Sequence, residues 1–357
     1  MEKEIKNKTR VGITCGDPAG IGPELIVKLA SDNRILQEAI LIAYCPFPLI
    51  QAIKKSLGLE DLPSQQITNL TQAQSGKLNV FSPKDVASIV EGKPDNNSAS
   101  IALWALEKSS DDLENGAIEA VVTAPLSKQH MAVVSPGFSG HTEYYDKRFK
   151  KEGALMVLCS DRLKVALATN HLPIKDISSA ITKDTLLAAI RNLSSMLQQD
   201  FGVVRPKIAV LGLNPHAGES GNIGTEEMEQ ISPAISAAKS ANILAFGPYA
   251  ADGFFGSGQC FQFDAVLAMF HDQGLTGFKA IAFDGGVNYT AGLSVVRTSP
   301  GHGTAFDLAG KGLASEEGLR NAVYMAMDVY KHRRVYQENN ANPLRFSAVQ
   351  KDNEGPI

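Results

Sequence analysis

Short apolar runs rich in β-branched residues alternate along this chain with stretches of helical periodicity. The runs show no strict alternation with polar residues, which is typical of strands covered by helices on both faces, as in a parallel sheet. The strands predicted in this way lie at residues 11–14, 118–123, 164–169, 207–213, 265–270 and 280–283, with helices near 183–198, 226–239 and 319–331. The sequence therefore predicts an α/β fold with a mostly parallel sheet.

The length of the chain limits its number of domains, and its charge limits its partners. Its 357 residues exceed the roughly 100–200 residues of a usual domain, so we expect two lobes or one large α/β domain. With 34 Lys and Arg against 38 Asp and Glu, the chain has no overall basic field to hold a nucleic-acid backbone. No run approaches the roughly 20 apolar residues of a membrane span. We expect a cytoplasmic protein without nucleic-acid or membrane partners.

Three of the seven histidines follow predicted strands directly or nearly so. They are His171, His216 and His271, at the ends of the apolar runs 164–169, 207–213 and 265–270. In open parallel sheets ligands gather at the carboxyl ends of strands, so these imidazoles can converge despite their separation in sequence. Three neutral imidazoles suit a divalent metal with positions left open for a substrate. The alternative is that each is a strand-end histidine bonded to the backbone.

Two further regions are rich in residue types that bind anions. The first combines the stretch 139–143 with Lys279, Asn288 and the stretch 297–299. Lys279 begins one apolar run and Arg297 ends another, so both are expected to point from strand ends at a phosphate or carboxylate. The alternative for each is a surface ion pair. The second region is the polar, glycine-rich stretch 298–311, which we interpret as a binding loop.

A glycine-rich turn at residues 16–24 joins the first predicted strand to a helix. Such a turn can face a phosphate, because glycines allow close approach of the backbone and a helix N-terminus favours anions. It matches neither the dinucleotide fingerprint nor the Walker pattern. A plain tight turn is therefore an equally good interpretation.

In chain order, these segments resemble the 4-hydroxythreonine-4-phosphate dehydrogenase family of vitamin B6 (pyridoxal phosphate) synthesis. The motifs are GDPAGIGPEL from Gly16, TAPLSK from Thr123, GHTEY from Gly140, ATNHLP from Ala168, LNPHAGE from Leu213, HDQGL from His271, GVNYTAGL from Gly286 and RTS followed by HGTAFDLAGKG from Arg297. The resemblance implies a fold like that of the isocitrate and isopropylmalate dehydrogenases, with two α/β/α lobes around a central cleft. Residues 1–127 and 287–357 would form the cofactor-side lobe, and 128–286 the metal and dimerisation lobe.

The resemblance also implies roles for individual residues. His171, His216 and His271 would bind one divalent metal (zinc, cobalt or magnesium), with ligands drawn from both subunits of a homodimer. The substrate would lie against His141, Thr142, Lys279, Asn288 and Arg297. By similarity with the wider dehydrogenase group, the adenosine part of NAD or NADP would contact His302, Gly303, Thr304, Ala305 and Asp307.

The implied reaction oxidises the C3 hydroxyl of 4-phosphooxy-threonine and passes hydride to NAD(P)+, after which the 2-amino-3-oxo acid loses CO2. Lys279 or Asp272 would take the hydroxyl proton, and the sequence leaves the choice open.

Some positions depart from the family pattern, such as Ser294 and Val295 where Pro-Phe is usual. They leave room for a relative that oxidises a 4-phosphorylated threonate or erythronate. A third interpretation is a phospholigand-binding protein that has lost catalysis, against which the three intact histidines argue.

Overall fold

A twelve-stranded sheet organises the protein, as seen in a computed structural model that describes residues 8–84, 88–283 and 285–342. The strands are β1 (Arg10–Thr14), β2 (Ile40–Tyr44), β3 (Ser64–Ile67), β4 (Leu78–Phe81), β5 (Ala120–Thr123), β6 (Lys150–Cys159), β7 (Lys164–Leu167), β8 (Lys207–Leu211), β9 (Leu244–Tyr249), β10 (Ala265–Ala268), β11 (Val287–Leu293) and β12 (Val296–Pro300). Their order across the sheet is β3-β4-β2-β1-β5-β12-β11-β6-β7-β10-β8-β9. The predicted α/β class with a mostly parallel sheet is confirmed.

Helices cover both faces of this sheet. They are α1 (Gly22–Ala30), α2 (Asn33–Glu38), α3 (Phe47–Ser56), α4 (Asn96–Glu114), α5 (Lys128–Val134), α6 (His141–Phe149), α7 (Ile174–Ala180), α8 (Lys183–Gln199), α9 (Ser232–Ser240), α10 (Ala251–Gly256), α11 (His271–Ala282) and α12 (Glu317–Asn340). Strands β2, β5 and β10 are buried at every residue, which explains why their sequences lack polar alternation. Among the described residues, no helix combines the length and apolar character needed to span a bilayer.

The direction of the strands changes near the middle of the sheet. Strand β11 pairs antiparallel with both β12 and β6, and β6 pairs antiparallel with β7, while the remaining pairings are parallel. Strands from residues 1–127 and 287–342 form one half of the sheet, and strands from 128–286 form the other. The two halves join where β11 meets β6, with Val287 opposite Cys159. The assignment of these halves as separate lobes stays a prediction.

The strand predicted at residues 280–283 is wrong, because Ala280, Ile281 and Ala282 form the last turn of helix α11. Leu275 and Phe278 are buried at helical spacing, so the apolar run continues a helical face. A short apolar run cannot by itself distinguish a buried helix end from a strand. Lys279 therefore lies on a helix and not at the start of a strand.

Candidate active site

A cavity of about 380 Å³ lies at the junction between the two halves of the sheet. Its lining includes all five predicted substrate residues, which are His141, Thr142, Lys279, Asn288 and Arg297. His171 and His271 also line it, as do His302 and Gly303. Residues that are far apart in sequence and lie in both halves of the sheet therefore meet at one site.

Arg297 lies at the base of this cavity and is only 2% exposed. Its Nε and Nη2 donate to Thr123 Oγ1 at 3.1 and 2.6 Å, and its Nη1 donates to Thr290 Oγ1 at 3.0 Å. Burial lowers the pKa of the guanidinium to about 10, so it remains charged at neutral pH. Among the described residues, this cation donates hydrogen bonds only to hydroxyl groups, and its guanidinium carbon lies 5.9 Å from the centre of the Tyr145 ring. A buried cation in such surroundings is unfavourable unless an anion compensates it. The cavity base is thus suited to an anionic ligand.

His141 begins helix α6, next to this cation. Burial lowers the pKa of the imidazole well below its usual range, and the positive charges of Arg297 and Lys128 lower it further. The ring is therefore neutral at physiological pH. The preceding Gly140 has φ +154°, and a Cβ there would lie 2.6 Å from Glu143 Oε2. A side chain at position 140 would thus be strained by the backbone conformation and would displace the Glu143 carboxylate.

His171 and His271 follow the adjacent strands β7 and β10, and their ring centroids are 5.7 Å apart. The Asp272 carboxylate lies 2.7 Å from His271 Nδ1. A hydrogen bond to Nδ1 holds the imidazole ring in place and leaves Nε2 free to bind a metal. Asp272 is not among the residues that line the cavity, whereas Lys279 is. Of the two predicted candidates for the base, only Lys279 therefore lines the cavity.

His216 lies outside this group. Its side chain is exposed and is not among the cavity-lining residues. In the part of the chain that the structure describes, no group of three or more His, Cys, Asp or Glu side chains is arranged to hold a metal ion. One chain thus brings two of the three predicted metal ligands together and presents the third elsewhere.

The stretch predicted to bind the cofactor reaches the cavity only with His302 and Gly303. Thr304 accepts the backbone N–H of Ile21 through its carbonyl oxygen at 3.1 Å, which ties this stretch to the glycine-rich turn at 16–24. Thr304, Ala305 and Asp307 are not among the cavity-lining residues, and Asp307 is exposed.

Two buried polar atoms in the cavity wall lack hydrogen-bond partners among the described residues, namely Asn288 Oδ1 and His302 Nε2. A buried polar group left unpaired costs about 1–3 kcal/mol, so such groups usually mark a place for a ligand or water. The wall therefore offers unpaired polar groups in addition to positive charge.

Lys128 lines the same cavity, although sequence reasoning gave it no role. It follows β5 within the TAPLSK motif, so its position after a strand was an available signal. Thr123, the last residue of β5, was also missed. Its contribution is a hydrogen bond to Arg297, which only the three-dimensional structure reveals.

Comparison with known proteins agrees with the resemblance in the motifs. Residues 27–326 match the family described as pyridoxal phosphate biosynthetic protein PdxA. A 4-hydroxythreonine-4-phosphate dehydrogenase from Bacteroides thetaiotaomicron is 43% identical over 348 residues, covering 97% of this chain and 95% of the relative. The crystal structure of 4-hydroxythreonine-4-phosphate dehydrogenase from Klebsiella pneumoniae has a TM-score of 0.78 at 30% identity, covering 90% of this chain and 100% of that one.

A more distant structure shares the fold alone. The terephthalate 1,2-cis-dihydrodiol dehydrogenase from Burkholderia xenovorans is 23% identical with a TM-score of 0.61, covering 90% of this chain and 98% of that one. The extent of the family match and the identity to curated relatives together establish that this chain belongs to the PdxA family of pyridoxal phosphate biosynthetic proteins.

Proposed function

We propose that this protein is a metal-dependent NAD(P) oxidoreductase, a 4-hydroxythreonine-4-phosphate dehydrogenase that acts as a cytoplasmic homodimer. The observation that carries this proposal is the buried Arg297, which shares one cavity with Lys128, Lys279 and the histidine pair His171 and His271. The names of the curated relatives supply the identity of the substrate. In this proposal the cofactor-side lobe comprises 1–127 and 287–357, and the metal and dimerisation lobe 128–286.

The substrate carries a phosphate and a carboxylate, and the cavity offers two cationic side chains, Lys128 and Arg297, to receive them. The planar guanidinium of Arg297 can bind two oxygens of one anionic group, which orients the ligand. Neutral His141 can donate a hydrogen bond, and the unpaired Asn288 Oδ1 can accept one from an ammonium or hydroxyl group. These contacts hold the reacting carbon at a set distance from the cofactor.

The described residues fit a divalent metal of the zinc, cobalt or magnesium type. His171 and His271 are paired at the cavity, and the carboxylate of Asp272 already holds His271 by its outer nitrogen. His216 from a second copy of the chain would complete the set. The chemistry that such an ion supplies when bound is a lowered pKa of the substrate hydroxyl and stabilisation of developing negative charge.

In this mechanism the chain itself binds the substrate and moves its proton. Lys279 lines the cavity and is assigned as the base that takes the C3 hydroxyl proton, while Asp272 positions His271. A bound NAD(P)+ would supply the acceptor for the C3 hydride. The product would be 2-amino-3-oxo-4-phosphooxybutanoate, whose loss of CO2 would give 3-amino-2-oxopropyl phosphate. The cofactor would lie along His302, Gly303, Thr304, Ala305 and Asp307.

Four exposed apolar side chains near His171 and His216 in the sequence, which we call the apolar patch, support the homodimer. The patch comprises Leu172, Ile174, Ile223 and Met228, with exposures of 45, 82, 38 and 50%. Leu172 directly follows His171, and the patch thus flanks the segments that carry two of the proposed metal ligands. Apolar side chains exposed in this way commonly mark a protein interface.

Turnover measured by NAD(P)H absorbance tests the proposal directly. The assay compares 4-phosphooxy-threonine with 4-phosphorylated erythronate and threonate, each with NAD+ and NADP+ and with added divalent ion. We expect turnover of the amino substrate. Turnover of the sugar acids alone would instead assign the protein to that alternative, and binding of both without turnover would indicate a non-catalytic phospholigand-binding protein.

A further inference from the structure

The segment that carries His216 has a backbone conformation that L-residues rarely adopt. Residues 216–220 are five consecutive residues with positive φ, at 52, 51, 79, 43 and 57°, and only Gly218 among them is glycine. Left-handed backbone is strained for residues with a Cβ, and it persists only where the surroundings enforce it. Some part of the structure must therefore hold this left-handed turn in place.

The carboxylate of Glu227 makes the contacts that can do so. Glu227 is only 3% exposed. Its Oε1 accepts the backbone N–H groups of Leu213 and Asn214, each at 2.7 Å, and its Oε2 accepts Asn214 Nδ2 at 2.9 Å. A Cβ at Gly218 would lie 2.6 Å from the same Oε2, so the turn closes directly over the carboxylate.

The elements on either side of the turn are also fixed. Glu227 begins a π-helical turn, Glu227–Ile231, that leads into α9, so its backbone belongs to a continuous helical segment. On the other side, Gln273 Nε2 donates to the Gly212 carbonyl at 2.7 Å, while Gln273 Oε1 accepts the N–H of Met269 at 2.8 Å. Gln273 thus ties the start of the His216 segment to the end of β10, from which His271 follows.

We propose that Glu227 is a positioning residue for His216. Its carboxylate holds residues 213 and 214, these hold the left-handed turn, and the turn fixes where the exposed imidazole projects toward a second copy of the chain. The inference rests on the metal role of His216 under the proposed function. A carboxylate is required because it accepts all three hydrogen bonds. A glutamine would place the N–H donors of its own amide against one of the donating groups.

Hydrogen exchange in the intact, metal-free protein tests the contact without reference to activity. In Glu227→Gln we expect the amides of Leu213 and Asn214 and of the turn 216–220 to exchange on the order of tenfold faster or more, with protection elsewhere unchanged. Glu229→Gln makes the same chemical change at an exposed position of the same π-helical turn and should leave exchange unaltered. Unchanged protection in Glu227→Gln would overturn the inference.

Cobalt(II) binding, followed by its absorption spectrum, tests the link to His216. Replacing a residue that holds a metal ligand in place typically lowers metal affinity by about 10–100-fold, and we expect a loss of cobalt affinity of this size in Glu227→Gln. In a His216→Ala background the same change should have no further effect, because the residue acts through His216. A further loss in that background would mean that Glu227 acts by another route, which contradicts the proposal.

A second variant covers the case in which Glu227→Gln does not fold. Asn214→Ala removes the side-chain contact to Glu227 and should speed exchange across 216–220 to a smaller extent. No change there would also contradict the inference. Wild-type protein that binds no cobalt would refute the metal role in the proposed function, and the exchange measurement alone would then decide whether Glu227 holds the turn.

Discussion

The base of the cavity and the His216 turn differ in how far their functional side chains are enclosed by the rest of the chain. At the base, Arg297 and His141 are enclosed and held by neighbours on β5, β11 and α6. The His216 turn is strained and its imidazole is exposed. Under the proposed function, one part of the site is complete within a chain, whereas the other is presented to a second copy. The experiments below test this contrast, from the largest expected effect to the smallest.

Replacing Arg297 with methionine should abolish most activity at little expense in stability. In the described part of the chain no carboxylate is hydrogen-bonded to this buried cation. Its loss removes an anion-binding group of roughly 3–5 kcal/mol, or on the order of a hundredfold to several thousandfold in kcat/KM. The melting temperature should stay the same or rise. Arg205→Met, at an exposed position, is the control. Unimpaired kcat/KM in Arg297→Met would remove the central argument for the anion site.

Mixing two inactive variants should restore activity if His216 serves a second copy. His216→Ala is expected to lose about a hundredfold in activity, because one metal ligand is missing. Co-refolded with Arg297→Met, half of the dimers should be mixed, and each should contain one intact site, which gives about a quarter of wild-type activity. If His216 served its own chain, both sites of the mixed dimer would be defective and activity would stay at background.

A charge in the apolar patch should weaken the dimer without unfolding the chain. Ile174 is 82% exposed, so Ile174→Glu disturbs little within one chain but would bury a charge at an interface. We expect the dimer Kd from sedimentation to rise by about tenfold or more. Val204→Glu changes a similarly exposed residue, at 85%, outside the patch. Equal effects of the two variants would argue against an interface at the patch.

The lowered pKa of His141 predicts a loss of stability on the acid side. Near pH 7 neither state carries the proton, but below the unfolded pKa of about 6.5 the unfolded chain binds it first. The free energy of unfolding should therefore fall as the pH drops from about 6.5 toward the folded pKa, by at most about 1.4 kcal/mol per pH unit. Denaturant titrations of wild type and His141→Gln should diverge in this window, while His332→Gln, an exposed control, should follow wild type.

Much of the fold follows from local patterns. Strands β7, β8 and β10 begin at the predicted residues and end two residues early, although backbone hydrogen bonds such as that from the Thr169 N–H to the Met269 carbonyl continue beyond these ends. Helix α8 matches its prediction to within one residue. The segment 280–283 fails because four apolar residues satisfy the helical and the strand pattern alike.

The sequence predicted the residues of the site only in part. The motifs carried enough information to select five residues that the structure gathers in one cavity, and their chemical roles remain predictions. Lys128 was missed although its position after β5, within the TAPLSK motif, was an available signal. Glu227 was missed because its partners, Leu213 and Asn214, lie more than ten positions away and are mostly backbone groups.

The sequence by itself determined the α/β class and the family, since both depend on hydrophobic periodicity and on short motifs that are readable along the chain. The tertiary structure decided that Lys279 lines the cavity while Asp272 contacts His271, and that His216 lies apart from His171 and His271. The reason is physical. Burial, charge compensation and backbone strain arise from neighbours brought together by folding, and no local pattern specifies which neighbours those will be.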